Sequence, residues 1–448
     1  MAGAVTGDLR TGARHPLHAR GSANVRLQGI ALIVSFLLLG CARPERATTI
    51  KFWGLGWEGE VVTALLPQFE KETGIKVSVQ QIPWTAAHEK ILTGHVGNSL
   101  PDVFQTGNTW IPELVTVGAI IPLDGKNLPE NDYFPGIWET NKVDGTLYGV
   151  PWYVDTRVLF YRTDMVATPP RSWSELIATM ERLKRETKTQ HFYPLLMPTN
   201  EWPQPVIFAL QRGATLVSHD GHARFREPAF LEAFSFYTDI FRRGLAPAIS
   251  SAQVTNIYQQ FGAGEIAMFI SGPWDVGNLR QRLSAEQQKV WSTAPLPSPD
   301  GTPYPGLSLS GGSSLVISRR STKQDAAWKF IEFLSRTDVQ IRFHEISGDL
   351  PARRSAWNTP ALTDDPQIAS FRTQLDRTGA LPRVPEIENI VTTIFEHGQL
   401  AARGQLSAAE AAARLDRRVE TMLEKRRWVL ERRRLEEEAA GGVAGGQP

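Results

Sequence analysis

The chain has 448 residues, of which 42% are hydrophobic and 21% charged, a mixture typical of a globular protein with two or three domains. Its formal net charge of +1 is too small to predict a nucleic-acid-binding surface. Cys41 is the single cysteine, which excludes an internal disulfide and a thiolate metal site.

The first 40 residues have the pattern of an export signal. Several arginines precede the apolar run IALIVSFLLL, which stops at Gly40 and Cys41, and this order predicts a signal peptide over residues 1–40. The run is too short to span a bilayer as a mature helix. The ending LLLGC resembles a bacterial lipobox, so we expect an exported protein on the periplasmic or extracellular face of a bacterial membrane, anchored by a lipid on Cys41. The alternative is an ordinary cleavage site beside an unused thiol.

Strands and helices alternate in the next sixty residues. The predicted elements are strand 49–53, helix 61–73 with Gly74 past its end, strand 75–82, helix 84–98 and strand 100–107. This alternation predicts an α/β domain with a largely parallel sheet. Ligands of such sheets bind at the carboxyl ends of the strands, so the loops GLGWEGE (54–60) and GNTW (107–110) become candidate binding loops.

The loop GLGWEG also matches the glycine spacing of dinucleotide-binding turns. Trp57 and Glu58 would place bulk and negative charge where a pyrophosphate needs bare backbone N–H groups. The second strand ends in Gln80 and Gln81, without the acidic residue that binds a ribose. We therefore predict no nucleotide cofactor.

The remaining chain predicts further elements of both kinds. The run LYGVPWYVDTRVLFYR (147–162) is typical of one buried strand, although it carries Trp152, Tyr153 and Asp155. The other predicted elements are helix 172–187 with a capping box of Ser172 and Glu175, helix 228–244, strand 265–271, strand 311–318, helices and a loop over 324–353, a solvated terminal helix at 423–438, and a polar tail at 431–448 that is disordered over its last ten residues.

Several motifs in this order resemble the extracellular solute-binding proteins of ATP-driven (ABC) importers, in particular the sugar-binding, maltose/trehalose-binding-protein-like lipoproteins. The motifs are LPDVFQTG, LVTVGAIIPLD, LYGVPWYVDTRVLFYR with PRSWSEL, FGAGEIAMFISGPWD, GGSSLVISRRSTKQDAAWKFIEFLS and GDLPARRSAW. The resemblance implies an α/β, two-domain periplasmic-binding-protein fold of type II, with a ligand cleft between lobes joined by several crossing segments. We expect one lobe to comprise 47–156 and 266–313, and the other 157–265 and 314–430.

Sugar recognition would explain why the run at 147–162 combines aromatic residues with a carboxylate. A pyranose has a weakly apolar face on which aromatic rings stack, and hydroxyls that carboxylates, amides and arginine bind. Trp152, Tyr153 and Asp155 supply this mixture, and the resemblance places their segment at the cleft. The alternative is that both aromatics pack in the core and Asp155 only shapes a turn.

The resemblance implies further ligand contacts in other loops. They are Glu58 or its neighbour Glu60, Asn108, Thr109, Trp110, Trp202, Trp274, Asp275, Gly311, Gly312 and Arg353. Alternatives remain for several of them: Asp275 would cap a helix, Trp202 would pack in the core, and turn geometry alone would require the glycines.

The resemblance implies a monomeric binding protein that hands a mono- or oligosaccharide to membrane permease subunits. We expect no cofactor, metal or nucleic-acid partner. His88 and His344 each begin an HE pair but lack the second histidine of a zinc protease. A glycoside hydrolase that uses Asp155 with Glu58 or Asp275 is the enzymatic rival, because such enzymes need two facing carboxylates. Other solutes carried by related proteins are glycerol phosphodiesters, polyamines and iron. Asn108, Thr109 and Arg353 favour a neutral sugar.

Overall fold

The structure, a computed structural model, describes residues 48–444 apart from 188, 190 and 255. The predicted signal peptide and Cys41 lie outside the described residues. Within the described range, no helix is both long enough and apolar enough to cross a membrane.

Two separate β-sheets organise the described chain, with two short ladders beside them. The strands are β1 Thr49–Leu55, β2 Lys76–Ile82, β3 Val103–Gly107, β4 Lys142–Val143, β5 Thr146–Leu147, β6 Val150–Asp155, β7 Val158–Arg162, β8 Tyr193–Leu196, β9 Ile266–Ser271, β10 Trp291–Ala294, β11 Ser308–Leu309, β12 Gly311–Ile317, β13 Leu350–Pro351 and β14 Thr378–Gly379. Strand β4 pairs with β5, and β11 pairs with β14.

The first sheet has the strand order β13-β6-β12-β3-β1-β2. Strands β2, β1 and β3 are parallel, while β12 is antiparallel to both β3 and β6, and β13 is antiparallel to β6. Strands β1, β3 and β6 therefore run in one direction and end at the same edge of the sheet. The amino ends of β12 and β13 lie at this edge as well.

The second sheet has the order β10-β7-β9-β8, in which β8 and β9 are parallel and β7 is antiparallel to β9 and β10. The chain passes from the first sheet to the second between Asp155 and Val158. Since Val158 pairs with Ser271, the carboxyl end of β9 lies beside this crossing segment.

Helices follow or precede most strands. They are α1 Glu58–Val61, α2 Leu66–Thr73, α3 Trp84–Val96, α4 Ile111–Thr116, α5 Pro135–Glu139, α6 Trp173–Glu186, α7 Pro203–Gln211, α8 Pro228–Arg242, α9 Ile257–Ala263, α10 Trp274–Arg282, α11 Gln324–Leu334, α12 Thr337–Ser347, α13 Pro360–Thr363, α14 Pro366–Leu375, α15 Ile387–Ala402, α16 Ala408–Met422 and α17 Glu424–Ala444.

Local sequence signals explain several helix ends. Ser172 accepts a hydrogen bond from the Glu175 N–H at the start of α6, although the Glu175 carboxylate reaches the N–H of Arg171 and not that of Ser172. Helix α2 ends at Gly74, which is left-handed with φ of 69°. Pro67 stands in the first turn of α2, and the predicted helix 61–73 is divided there into α1, a 3₁₀ turn and α2.

The helices α11 and α12 cover the first sheet. Phe330 of α11 contacts Phe52 with ring centroids 5.3 Å apart, and Phe343 of α12 contacts Trp152 at 4.5 Å. Helix α14 packs against the second sheet, where Phe371 contacts Phe160 at 6.2 Å. Burial of these aromatic side chains contributes to the hydrophobic stabilisation of each lobe.

Sheet membership corrects the expected division into lobes. The division put 266–313 with the first lobe, but β9 and β10 belong to the second sheet, since β7 pairs with both. It put 314–430 with the second lobe, but β12, α11 and α12 pack in the first. The chain crosses between the lobes more often than local patterns reveal, because the partners of β7 and β12 lie more than 100 residues away in the sequence.

Two further predictions need correction. The run 147–162 is not one strand, because β6 ends at Asp155 and β7 begins in the other sheet at Val158. The terminal helix continues to Ala444, through part of the tail predicted to be disordered. Pairs of Arg432 with Glu436 and of Arg434 with Glu438, each four residues apart, support this helix.

Candidate functional site

Polar side chains gather at the edge where β1, β3 and β6 end. Glu58 follows β1, Asn108 follows β3, and Asp155 is the last residue of β6. Gly311 begins β12 and pairs with Asp155, while Asp349 immediately precedes β13. The strand directions therefore bring residues from distant parts of the sequence to one place, as expected for a ligand-binding edge.

Glu58 is the centre of a buried hydrogen-bond network at this edge. Tyr153 Oη donates to Glu58 Oε1 at 2.7 Å, and Trp84 Nε1 lies 3.4 Å from Glu58 Oε2. Burial raises the pKa of Tyr153 well above its usual value, and the nearby carboxylates of Glu58, Asp349 and Asp155 act in the same direction. The phenol therefore keeps its proton and holds the Glu58 carboxylate in place.

Asp155 is held by the crossing segment that follows it. Its Oδ1 accepts a hydrogen bond of 2.9 Å from the Arg157 guanidinium. A Cβ atom on Gly311 would lie 2.2 Å from the same oxygen, so only glycine leaves room for this carboxylate. Gly312 has a φ of 133°, and a Cβ there would lie 2.4 Å from the carbonyl oxygen of Tyr153.

Trp274, the first residue of α10, presents an exposed aromatic surface from the second lobe. The residue is 44% exposed, and the guanidinium of Arg157 lies over its ring at 4.5 Å from the centroid. The ring packs directly against Gly272, where an added Cβ would lie 2.2 Å from it. Trp274 also lines a cavity of about 220 Å³ in the second lobe, together with Glu201 and Tyr258.

Asp275 is occupied within its own lobe. It is buried and accepts hydrogen bonds from Ser271 Oγ at 2.6 Å and Tyr258 Oη at 2.8 Å. Burial raises the pKa of Asp275, while the hydrogen bonds from Ser271 and Tyr258 oppose that rise. Asp275 lies in the first turn of α10, whose N-cap is Pro273, so it does not cap this helix. It lines the same cavity as Trp274, and its contact with a ligand stays a prediction.

Two other predicted contacts have structural roles. Trp152 is only 1% exposed and packs in the core against Phe343. The Arg353 guanidinium donates to Asp132 Oδ2 at 2.6 Å and to the Ser335 carbonyl at 3.2 Å. The sequence could not show that Trp152 packs in the core while its neighbour Tyr153 reaches the site. It also could not reveal that Asp132 is the partner of Arg353.

The loop after β3 is tied to its surroundings. Asn108 is buried and donates to Thr140 Oγ1 and to the Ser310 carbonyl, both at 3.1 Å. Thr109 Oγ1 donates to Glu388 Oε1 at 2.7 Å, which connects this loop to the start of α15. These contacts fix the loop and leave few of its polar atoms free for a ligand.

The remaining predicted aromatics, Trp110 and Trp202, are both partly buried. Trp110 is partly buried between Trp84 and His88, with ring centroids 5.8 and 5.0 Å away. Trp202 is partly buried and packs against the second-lobe core at the start of α7. It is a neighbour of Glu201, which lines the same cavity as Trp274.

A family model described as bacterial extracellular solute-binding protein matches residues 56–341. The chain belongs to this family.

Solved structures and curated proteins agree with this membership. The sugar-binding protein MalE of Xanthomonas citri is 44% identical, with a TM-score of 0.81 over 86% of this chain and 99% of that one. The diacetylchitobiose binding protein DasA of Streptomyces coelicolor is 24% identical over 79% of this chain and 84% of its own length. The GacH receptor of Streptomyces glaucescens, 24% identical over 85% of this chain and 99% of its own with a TM-score of 0.74, shows the fold alone. The predicted family and two-domain α/β fold are confirmed.

Within this solute-binding fold, sequence reasoning missed three side chains of the candidate site. Trp84 contacts Glu58, Arg157 joins Asp155 to Trp274, and Asp349 lies near the carboxylates of Glu58 and Asp155. Arg157 stands two residues after Asp155. This proximity in the sequence is the one signal that could have identified it as a residue of the site. Among the residues that the structure describes, no group of three His, Cys, Asp or Glu side chains is arranged to hold a metal ion.

Proposed function

We propose that the protein is the extracytoplasmic component of an ABC importer that captures a mono- or oligosaccharide between its two lobes. The observation that carries this proposal is the position of Trp274 opposite the acidic edge of the first lobe, with Arg157 between them. An exposed indole offers a face for a sugar ring, and Asp155 and Glu58 offer acceptors for its hydroxyls. The sugar-binding relatives support this choice of ligand.

The charges of the edge argue against a phosphodiester ligand. Glu58, Asp155 and Asp349 lie near one another, and Arg157 already binds Asp155. A phosphate would need converging arginines or a free helix N-terminus. A polyamine would suit the carboxylates better, and it is therefore the control ligand that the experiment must include.

A thermal-shift screen of the purified mature chain tests the proposal. The panel contains neutral mono- and oligosaccharides, spermidine and a glycerol phosphodiester. A ligand that binds only the folded state raises its stability by about 2.7 kcal/mol at a hundredfold excess over Kd, so at least one neutral sugar should raise the Tm. A shift with spermidine or the phosphodiester alone would contradict the choice of a sugar, and consumption of the sugar would support the hydrolase.

We propose that a lipid on Cys41 anchors the protein to the membrane that holds its permease. Acyl chains hold a protein at a bilayer through buried methylene groups, without a spanning helix. Expression of Cys41→Ser in a bacterial host should therefore release the protein from the membrane fraction. Equal membrane association of the two forms would contradict the anchor.

A further inference from the structure

Asp349 lies at the candidate binding edge beside Asp155. Strand β13 pairs with β6 so that Leu350 stands opposite Val154 and Pro351 opposite Tyr153. Continuation of this register by one residue places Asp349 opposite Asp155, whose other neighbour is Gly311. Asp349 therefore occupies the outer position of a three-residue row along the end of the sheet.

The backbone of Asp349 is fixed, but its side chain carries an unpaired atom. Its N–H donates to Ser347 Oγ at 3.0 Å, and its carbonyl oxygen lies 2.9 Å from His344 Nδ1. Oδ2 of Asp349 is buried without a hydrogen-bond partner, although the residue as a whole is partly exposed. An unsatisfied buried polar atom costs free energy, which a ligand hydrogen bond would recover.

The charged surroundings of Asp349 disfavour its ionised form. The titratable and charged groups that face it, or that contact its immediate partners, are Glu58 on α1, Tyr153 and Asp155 on β6, Arg157 in the crossing segment, and His344 on α12. Burial raises the pKa of Asp349 to about 8, and the Glu58 and Asp155 carboxylates also raise it, against the hydrogen bond of Ser347. At neutral pH Asp349 therefore carries a proton.

Three side chains of the edge direct hydrogen-bond donors to its own carboxylates. The Tyr153 hydroxyl and the Trp84 N–H point to Glu58, and Arg157 donates to Asp155. Carboxylates accept hydrogen bonds but donate none, whereas a protonated carboxyl does both. A sugar has ring and glycosidic oxygens that only accept, and these need a donor from the protein.

We propose that Asp349 contacts the ligand as a neutral carboxyl group and donates its hydrogen to an oxygen of the bound sugar. This inference rests on the proposed function, because it assigns a donor within the same site. It also makes sugar binding depend on pH. Since the protonated form binds, affinity is full below the pKa of Asp349 and falls as the pH rises through it.

Calorimetric titrations between pH 6 and pH 9.5, with a neutral sugar selected by the thermal-shift screen, test this assignment. For the wild type, Kd should stay constant up to about pH 7.5 and then rise, approaching tenfold per pH unit above the pKa. At pH 8 binding should take up about half a proton, measured in buffers of different ionisation enthalpy. Asp349→Asn, whose amide both donates and accepts, should bind with a pH-independent Kd and take up no proton.

Asp144→Asn is the matched control, since Asp144 is an exposed carboxyl with a side chain 86% accessible in the hairpin of β4 and β5. It should keep the wild-type pH profile. A wild-type Kd that does not change with pH, without proton uptake on binding, would overturn the inference. A loss of affinity of Asp349→Asn with rising pH, parallel to that of the wild type, would overturn it as well. If Asp349→Asn does not fold, the pH dependence of the wild-type Kd and the proton uptake on binding still test the inference. Failure of the wild type to bind any sugar at pH 6 would instead overturn the proposed function.

Discussion

Arg157 lies over the indole of Trp274, with its guanidinium carbon 4.5 Å from the ring centroid. The same guanidinium donates a hydrogen bond to Asp155. One side chain of the crossing segment therefore links the acidic edge of the first lobe to the exposed aromatic of the second. A sugar that stacks on this face of Trp274 must share the face with Arg157 or displace it.

Replacement of Trp274 by alanine should weaken sugar binding and leave the fold intact. Loss of a stacking aromatic costs about 1 to 3 kcal/mol of binding free energy. The unliganded protein should lose at most about 1 kcal/mol of stability, from the cation–π contact with Arg157. Calorimetry and thermal melting measure the two effects. Trp428→Ala, which removes another exposed tryptophan (56% exposed) on the terminal helix, is the control and should bind normally.

Replacement of Gly311 by alanine should displace the carboxylate of Asp155, because the added Cβ would lie 2.2 Å from Oδ1. We expect a loss of sugar affinity of at least about tenfold, the value of one weakened charge-assisted hydrogen bond. Gly277→Ala is the matched control, since no atom lies within 4 Å of a Cβ at that position in α10. It should bind normally and gain about 0.5 to 1 kcal/mol in stability. Wild-type affinity in Gly311→Ala would exclude a role for this carboxylate position.

Replacement of Arg353 by alanine should reduce stability without changing affinity. The substitution leaves Asp132 without the guanidinium that now binds it at 2.6 Å, a loss of about 1.5 to 3 kcal/mol. Arg354→Ala removes the exposed neighbour that pairs with Asp376 and should cost at most about 1 kcal/mol. Chemical denaturation and sugar titration of both variants test this. Unchanged stability with lost affinity would restore the ligand contact predicted from the sequence.

The stability of the unliganded protein should depend on Asp349 in a defined direction. The folded protein holds this proton up to a pKa of about 8, whereas the unfolded chain releases it near 3.8. The folded state thus binds more protons across this window, and its stability falls as the pH rises. Asp349→Asn lacks this effect. Its free energy of unfolding, relative to that of the wild type, should therefore increase with rising pH by up to about 1.4 kcal/mol per pH unit. Urea denaturation at pH 5, 7 and 9 measures the difference, and a constant difference would contradict the prediction.

Much of the first lobe followed from local sequence patterns. Strands β1, β2 and β3 and helix α3 lie within a few residues of their predicted bounds, because alternating apolar residues and the glycine after α2 are local signals. The motif order also predicted the family, which the match over 56–341 confirms. These features need no knowledge of distant contacts.

The partition of the lobes depended on contacts that the sequence does not display. Alternation of apolar and polar residues predicts a strand but not the sheet that the strand joins. The sequence of β6 and β7 therefore has the pattern of one strand, although the two strands lie in different lobes. The same limit applies to side chains. Tyr153 reaches Glu58, whereas the adjacent Trp152 enters the core, and Arg353 finds its partner 221 residues away.

Titration of the purified mature protein with a neutral sugar, followed by chemical analysis of the recovered sugar, tests the central claim most directly. We predict saturable binding of about one sugar per chain and recovery of the sugar unchanged. Asp155→Asn should bind the same sugar roughly ten- to a hundredfold more weakly, since it loses a charge-assisted hydrogen bond of about 1.5 to 3 kcal/mol. Conversion of the sugar into products, or wild-type affinity in Asp155→Asn, would contradict the account.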